Sequence, residues 1–156
     1  MMKRSTCLQT LSIKAAVCLA VLLMATGNPM LAQWVQTNGP HGGDIRCMAV
    51  SDTNLFAGTY GSAGVFLSTN NGASWTAVNT GLTNNIVLSL AVSGTNLFAG
   101  TEGSGVFRST NNGTSWTAVR IGLPRINVRS LAVSGTNLFA GTEVGVFLTT
   151  NNGTSW

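Results

Sequence analysis

Two acids, Glu102 and Glu143, lie 41 residues apart, and Tyr60 stands 42 residues before the first. A carboxylate pair cleaves glycosides when its members are about 5 to 10 Å apart and one has a raised pKa. Regular spacing argues against such a pair, because equivalent positions in repeated units are distributed around an array rather than brought face to face. The plainer reading of both acids is a solvated turn position. Of the arginines, Arg46 and Arg129 occupy equivalent strand positions with Leu88 between them, and Arg108 follows Phe107, so all three read as tolerated polar sites. Arg120 and Arg125, flanking Gly122-Leu123-Pro124, are better placed for anion contact. His41 sits among glycines with no second histidine to complete a metal site. Cys47 aligns with Ser89 and Ser130 and reads as a buried small residue rather than a nucleophile. No catalytic residue, metal or cofactor is expected from this set. His41, Tyr60, Glu102, Arg120, Arg125 and Glu143 remain as candidates for a binding face.

The elements that must carry these residues are repeats. Trp34, Trp75, Trp116 and Trp156 are separated by 41, 41 and 40 residues. Leu55-Phe56-Ala57-Gly58-Thr59 recurs at Leu97–Thr101 and Leu138–Thr142, and Gly64-Val65-Phe66 recurs at Gly105–Phe107 and Gly145–Phe147. In the third unit Val128–Val133, Asn137–Thr142 and Gly145–Thr150 read as strands, and Asn151-Asn152-Gly153 as a tight hairpin of the positive-φ kind. A fourth strand is expected to start at Ser155-Trp156. The near-continuous apolar runs of the first two strands suit sheets covered on both faces by neighbouring units. No unit then has a core of its own, and closure of the array into a ring is the usual solution.

Composition agrees with a turn-rich β protein: 8% of residues are charged and 19 are glycine. Lys3, Arg4 and Lys14 precede the apolar run Ala15–Ala25, the pattern of a secretory leader, which assigns residues 1–32 to a signal peptide. Cleavage after Ala32 leaves Gln33 first; a cut after Gly27 is the alternative. The apolar run is too short for a stable membrane span. From Gln33 onward there are five Arg, no Lys and four acids. That balance lacks the basic stripe that nucleic acid requires. Cys7 and Cys18 leave with the leader, so Cys47 has no partner for an internal disulfide.

Ser68-Thr69-Asn70-Asn71-Gly72-Ala73-Ser74-Trp75, Ser109–Trp116 and Thr149–Trp156 resemble the Asp-box, Ser/Thr-x-Asp-x-Gly-x-Ser/Thr-Trp, of bacterial-neuraminidase-type (BNR) repeats. Carriers of that motif are β-propellers, among them sialidases, some glucan hydrolases, sortilin-type receptors and photosystem II stability/assembly factors. The resemblance implies a structural role for Ser68, Asn70, Gly72, Trp75, Ser109, Asn111, Gly113, Trp116, Thr149, Asn151, Gly153 and Trp156. Asn replaces the eponymous Asp three times, and its amide oxygen can still accept N–H bonds within the turn.

The expected architecture is thus all-β: a partial propeller over 33–156, built of four-stranded antiparallel blades. It divides into an orphan outer strand and loop at 33–44, blades at 45–79 and 86–120, and an incomplete blade at 126–156. The orphan strand at Trp34-Val35-Gln36-Thr37 matches the start of a fourth strand and would close a ring. The chain is expected to be part of a longer propeller, with self-association as the alternative if it is complete. The Ser-Gly-Thr-Asn and Asn-Asn-Gly turns repeat almost unchanged, whereas the other face varies. Specificity therefore belongs to the variable face. The expected function is a non-catalytic secreted, periplasmic or cell-surface module for a protein or glycan ligand. The alternative is a fragment of a sialidase- or glucanase-like hydrolase with its catalytic residues in other blades. Assistance in assembling a membrane complex, as photosystem factors give, has no residue here to support it.

Overall fold

A computed structural model describes residues 35–156, so the leader and Trp34 lie outside the described residues. Eleven strands form three antiparallel sheets in chain order. The first blade contains β1 (Asp44–Ser51), β2 (Asn54–Tyr60), β3 (Val65–Ser68) and β4 (Thr76–Ala77). The second contains β5 (Val87–Ser93), β6 (Asn96–Thr101), β7 (Gly105–Ser109) and β8 (Thr117–Ala118). The third has β9 (Val128–Ser134), β10 (Asn137–Thr142) and β11 (Gly145–Thr149). Within a blade each strand pairs with the next one in sequence, the meander of a propeller blade.

The hydrophobic core lies between blades, which is why the strands lack simple alternation. Phe56 and Val65 of the first blade pack with Val87, Leu90, Leu97 and Phe107 of the second. Phe98 and Val106 of the second pack with Val128, Leu138 and Ala140 of the third. β6, covered on both faces, is buried at every residue except Asn96. Close approach is enforced by glycine: a Cβ on Gly58 would stand 2.7 Å from a methyl of Val87, and one on Gly100 the same distance from Val128.

The loop that joins the third and fourth strands differs from a two-residue hairpin. The Asn70–Ala73 turn is closed by a 3.1 Å Ala73 N to Asn70 O bond, with φ of 55° at Asn71 and 84° at Gly72. Those positive angles are the expected ones, but the turn is nested in a longer connection between Ser68 and Thr76. Side chains brace it identically three times. Ser68 Oγ accepts the Gly72 N–H at 2.9 Å, and Asn70 Oδ1 accepts the Ser74 N–H at 2.9 Å. The same bonds recur at Ser109 and Asn111, and at Thr149 and Asn151. Asn70 Nδ2 also donates to Ser74 Oγ, a contact that an ionised carboxylate could make only by accepting.

One detail departs from the sequence expectation. Ser155 and Trp156 form no strand, and the fourth strands of the other blades begin just after Trp75 and Trp116. Val35–Thr37, at the expected orphan strand, pairs with no strand among the described residues. The Thr37 methyl nevertheless faces Gly72, as Val78 faces Gly113 and Val119 faces Gly153. Among the described residues no helix is long and apolar enough to cross a membrane.

Candidate functional site

The first strand of every blade is interrupted at the same place. In β1 the register shifts between Ile45 and Cys47, and in β5 between Val87 and Ser89. In the third blade Ser130 pairs with Gly141 but Val128 with Thr142. Arg46, Leu88 and Arg129 are the extra residues. A bulge residue is left out of the ladder and its side chain is re-aimed, commonly beside functional sites.

These three residues, with Tyr60, Glu102 and Asn127, line a cavity of about 330 Å³. That volume is within the range of small-ligand sites. The cavity draws on all three blades and on the face formed by the second-to-third and blade-to-blade connections. The Arg46 guanidinium stands 4.8 Å from the centre of the Tyr60 ring, within cation–π range. Arg46 approaches Asp44 at 3.9 Å and Arg129 approaches Glu143 at 3.8 Å. Both pairs are largely solvated and contribute little to stability. Leu88 is the register counterpart of the two arginines, so the wall beside Glu102 is apolar.

Glu102 is positioned by its main chain. Its N–H donates to Ile86 O at 3.1 Å. Asn84 Nδ2 donates to Glu102 O and, at 3.1 Å, to Ser104 Oγ, while Asn84 Oδ1 accepts the Ile86 N–H at 2.9 Å. The turn that carries the carboxylate is thereby tied to the connection from the preceding blade. The wall then offers guanidinium donors from two blades, a carboxylate acceptor, a side-chain amide and a phenol. Such a set has the hydrogen-bonding chemistry to pair with a polar group that has both donors and acceptors.

Of the sequence candidates, Tyr60 and Glu102 line this cavity, and Glu143 contacts it through Arg129. Arg120 is turned to its own blade, where it donates to Ser104 O at 3.4 Å. Arg125 and His41 are exposed and do not line the cavity. Arg46 and Arg129, read from sequence as tolerated polar sites, are wall residues. The signal that could have found them is the break in the repeat, Arg-Leu-Arg, at one register position. Cys47 is half-buried against Gly58, and burial pushes its thiol up to about 11, which makes it a poor nucleophile near neutral pH. Among the described residues no group of three or more His, Cys, Asp or Glu could hold a metal ion.

Comparison with known proteins follows the sheet geometry. An ancestral GH74 enzyme matches with 26% identity and a TM-score of 0.62, over 79% of this chain and 19% of its own. The extracellular domain assigned to a one component system of B. thetaiotaomicron gives 20% identity and a TM-score of 0.63, over 74% of this chain and 16% of its own. YCF48 bound to D1 peptide gives 19% identity and a TM-score of 0.61, over 78% of this chain and 42% of its own. The chain therefore spans less than half the length of each of these structures. No curated protein sequence matches it. A family model described as the DUF6242 beta propeller domain matches residues 20–137, three quarters of the sequence. By that match and by its blades, the chain belongs to the DUF6242 beta propeller domain family.

Proposed function

We propose that the chain is a non-catalytic recognition module of a secreted, periplasmic or cell-surface propeller, exported by the leader at 1–32, which takes a protein or glycan ligand at the three-blade cavity. The supporting observation is that side chains departing from the repeat, Arg46, Leu88 and Arg129, meet Tyr60 and Glu102 around one cavity. The Asp-box-like turns carry the scaffold on this reading, and neither metal, cofactor nor nucleic acid takes part.

Calorimetric titration with glucan oligosaccharides and with an arrayed peptide set tests it. A ligand that binds the native chain should bind Glu102→Gln and Arg46→Ala about tenfold or more weakly, since each removes a charge-assisted hydrogen bond. Binding that survives both substitutions would place recognition elsewhere.

A second reading is favoured by the GH74 likeness, in which the chain is part of a glycoside hydrolase. The cavity wall supplies one carboxylate, Glu102, and a second would come from other blades. Release of reducing ends from the same oligosaccharides, lost in Glu102→Gln, would select this reading over the first.

A further inference from the structure

Each loop that follows a third strand holds an Asn-Gly step: Asn71-Gly72, Asn112-Gly113 and Asn152-Gly153. Such a step is chemically labile, because no side chain shields the glycine nitrogen from the neighbouring carboxamide. Once that nitrogen gives its proton to base, it attacks the carboxamide carbon. A C–N bond forms, the Cγ–Nδ2 bond breaks, and the amide group leaves as ammonia with a proton from water. Water then opens the cyclic imide at either carbonyl, and Asp or isoaspartate results. Geometry forbids a less reactive pair. In the second blade, which has a neighbour on each side, φ is 54° at Asn112 and 82° at Gly113, the left-handed region that Asn and Gly tolerate best. A Cβ on Gly113 would also stand 2.8 Å from a methyl of Val78.

The same loop withholds the nucleophile. Asn112 is exposed, but Gly113 is buried and its N–H donates to Ser109 Oγ at 2.8 Å. The Gly72 N–H donates to Ser68 Oγ at 2.9 Å and the Gly153 N–H to Thr149 Oγ1 at 3.0 Å. All three hydroxyl-bearing residues are buried. We propose that Asn112 is a latent deamidation site held shut by the Ser109 hydroxyl, and that Ser68 and Thr149 guard Asn71 and Asn152 in the same way. The bond keeps the reacting proton from base, so attack requires the loop to open first. The hydroxyl thus has a chemical duty beside its structural one.

Peptide mapping by mass spectrometry of the full chain, kept at mildly alkaline pH, tests this. Ser109→Ala should raise the rate at Asn112 about tenfold, the factor that a hydrogen bond of average net strength represents. Ser109→Thr, which restores the hydroxyl found at Thr149, should keep the native rate. Asn111→Ala separates the guard from mere stiffness of the loop. Ser109→Ala removes bonds to Gly113 N, Asn111 N and Asn111 Oδ1. Asn111→Ala removes as many, to Ser109 Oγ, Ser115 N and Ser115 Oγ, and leaves the bond to Gly113. Asn112 should therefore stay slow in Asn111→Ala. Equal acceleration in both alanine variants, or none in Ser109→Ala, overturns the inference. Hydrogen exchange gives a check on the native chain, since the same N–H must open to base. Slow exchange of the Gly113 amide is expected, and exchange at the rate of the urea-unfolded chain overturns the inference as well.

Discussion

The indole Nε1–H of Trp116, in the second blade, donates to the main-chain carbonyl of Val78 in the first at 2.7 Å. Trp156 repeats the bond to Val119 O at 2.8 Å. Main-chain bonds reinforce both, from Trp116 N to Thr80 O and from Trp156 N to Ile121 O. The repeated tryptophan is thus a bolt between blades. Trp75 lacks the bolt: its Nε1 is buried without a partner among the described residues, and the Thr37 carbonyl accepts the Gly39 N–H instead.

Trp116→Phe should therefore destabilise the chain more than Trp75→Phe does. The first strands a carbonyl whose donor is gone, a loss of about 1 to 3 kcal/mol, while the second removes a buried donor that had no bond to lose. Urea unfolding followed by circular dichroism measures both. Equal losses would show that packing of the ring, not the Nε1 bond, sets the effect.

At Asn111 the side chain accepts from Ser115 N and from Ser109 Oγ and donates to Ser115 Oγ. Asn111→Ala should cost about 1 to 2 kcal/mol, from two or three modest hydrogen bonds. Asn111→Asp keeps the acceptor and lets the Ser115 hydroxyl reverse as donor, so its melting temperature should stay close to that of the native chain. A large loss in the Asp variant would mean that the amide donor is required.

Cys47 gives a pH dependence with a definite sign. Its thiol is raised from about 9 to about 11 by burial, against a smaller opposing hydrogen bond involving the Gly58 backbone. The folded state thus holds this proton more tightly than the unfolded chain. Its contribution to stability is complete below pH 9 and is lost as pH rises through 11. Alkylation by iodoacetamide at pH 8 should be about tenfold or more slower than in urea-unfolded chain, because only the thiolate reacts. Equal rates would show an open, unshifted thiol. In Cys47→Ser the additional loss of stability between pH 9 and 11 should disappear.

Much of the fold is legible because each unit states it again. The spacing of Trp34, Trp75 and Trp116, the Leu-Phe-Ala-Gly-Thr strands and the Asn-Gly turns each mark one position in a blade. The start of the fourth strand was not legible. The indole and main-chain N–H of Trp116 and Trp156 are committed to the neighbouring blade, a bond between units that the text of one unit does not display. The cavity was half legible. Tyr60 and Glu102 stand out by side-chain type, but a bulge has no composition of its own, and Ile45-Arg46-Cys47 reads as ordinary alternation. Arg120 looked available because it lies in a variable loop, yet it is occupied with Ser104 O.

The bulges also separate two kinds of selection. A residue inside the ladder of β1, β5 or β9 answers to its cross-strand partner and to the adjoining blade, so changing it risks the fold. Arg46, Leu88 and Arg129 have no ladder partner opposite them. Their side chains can be exchanged at little expense in folding free energy, so an array copied almost verbatim can still vary the wall of its cavity. Randomising positions 46, 88 and 129 is consequently the shortest route to a chain of the same shape with a different cavity wall.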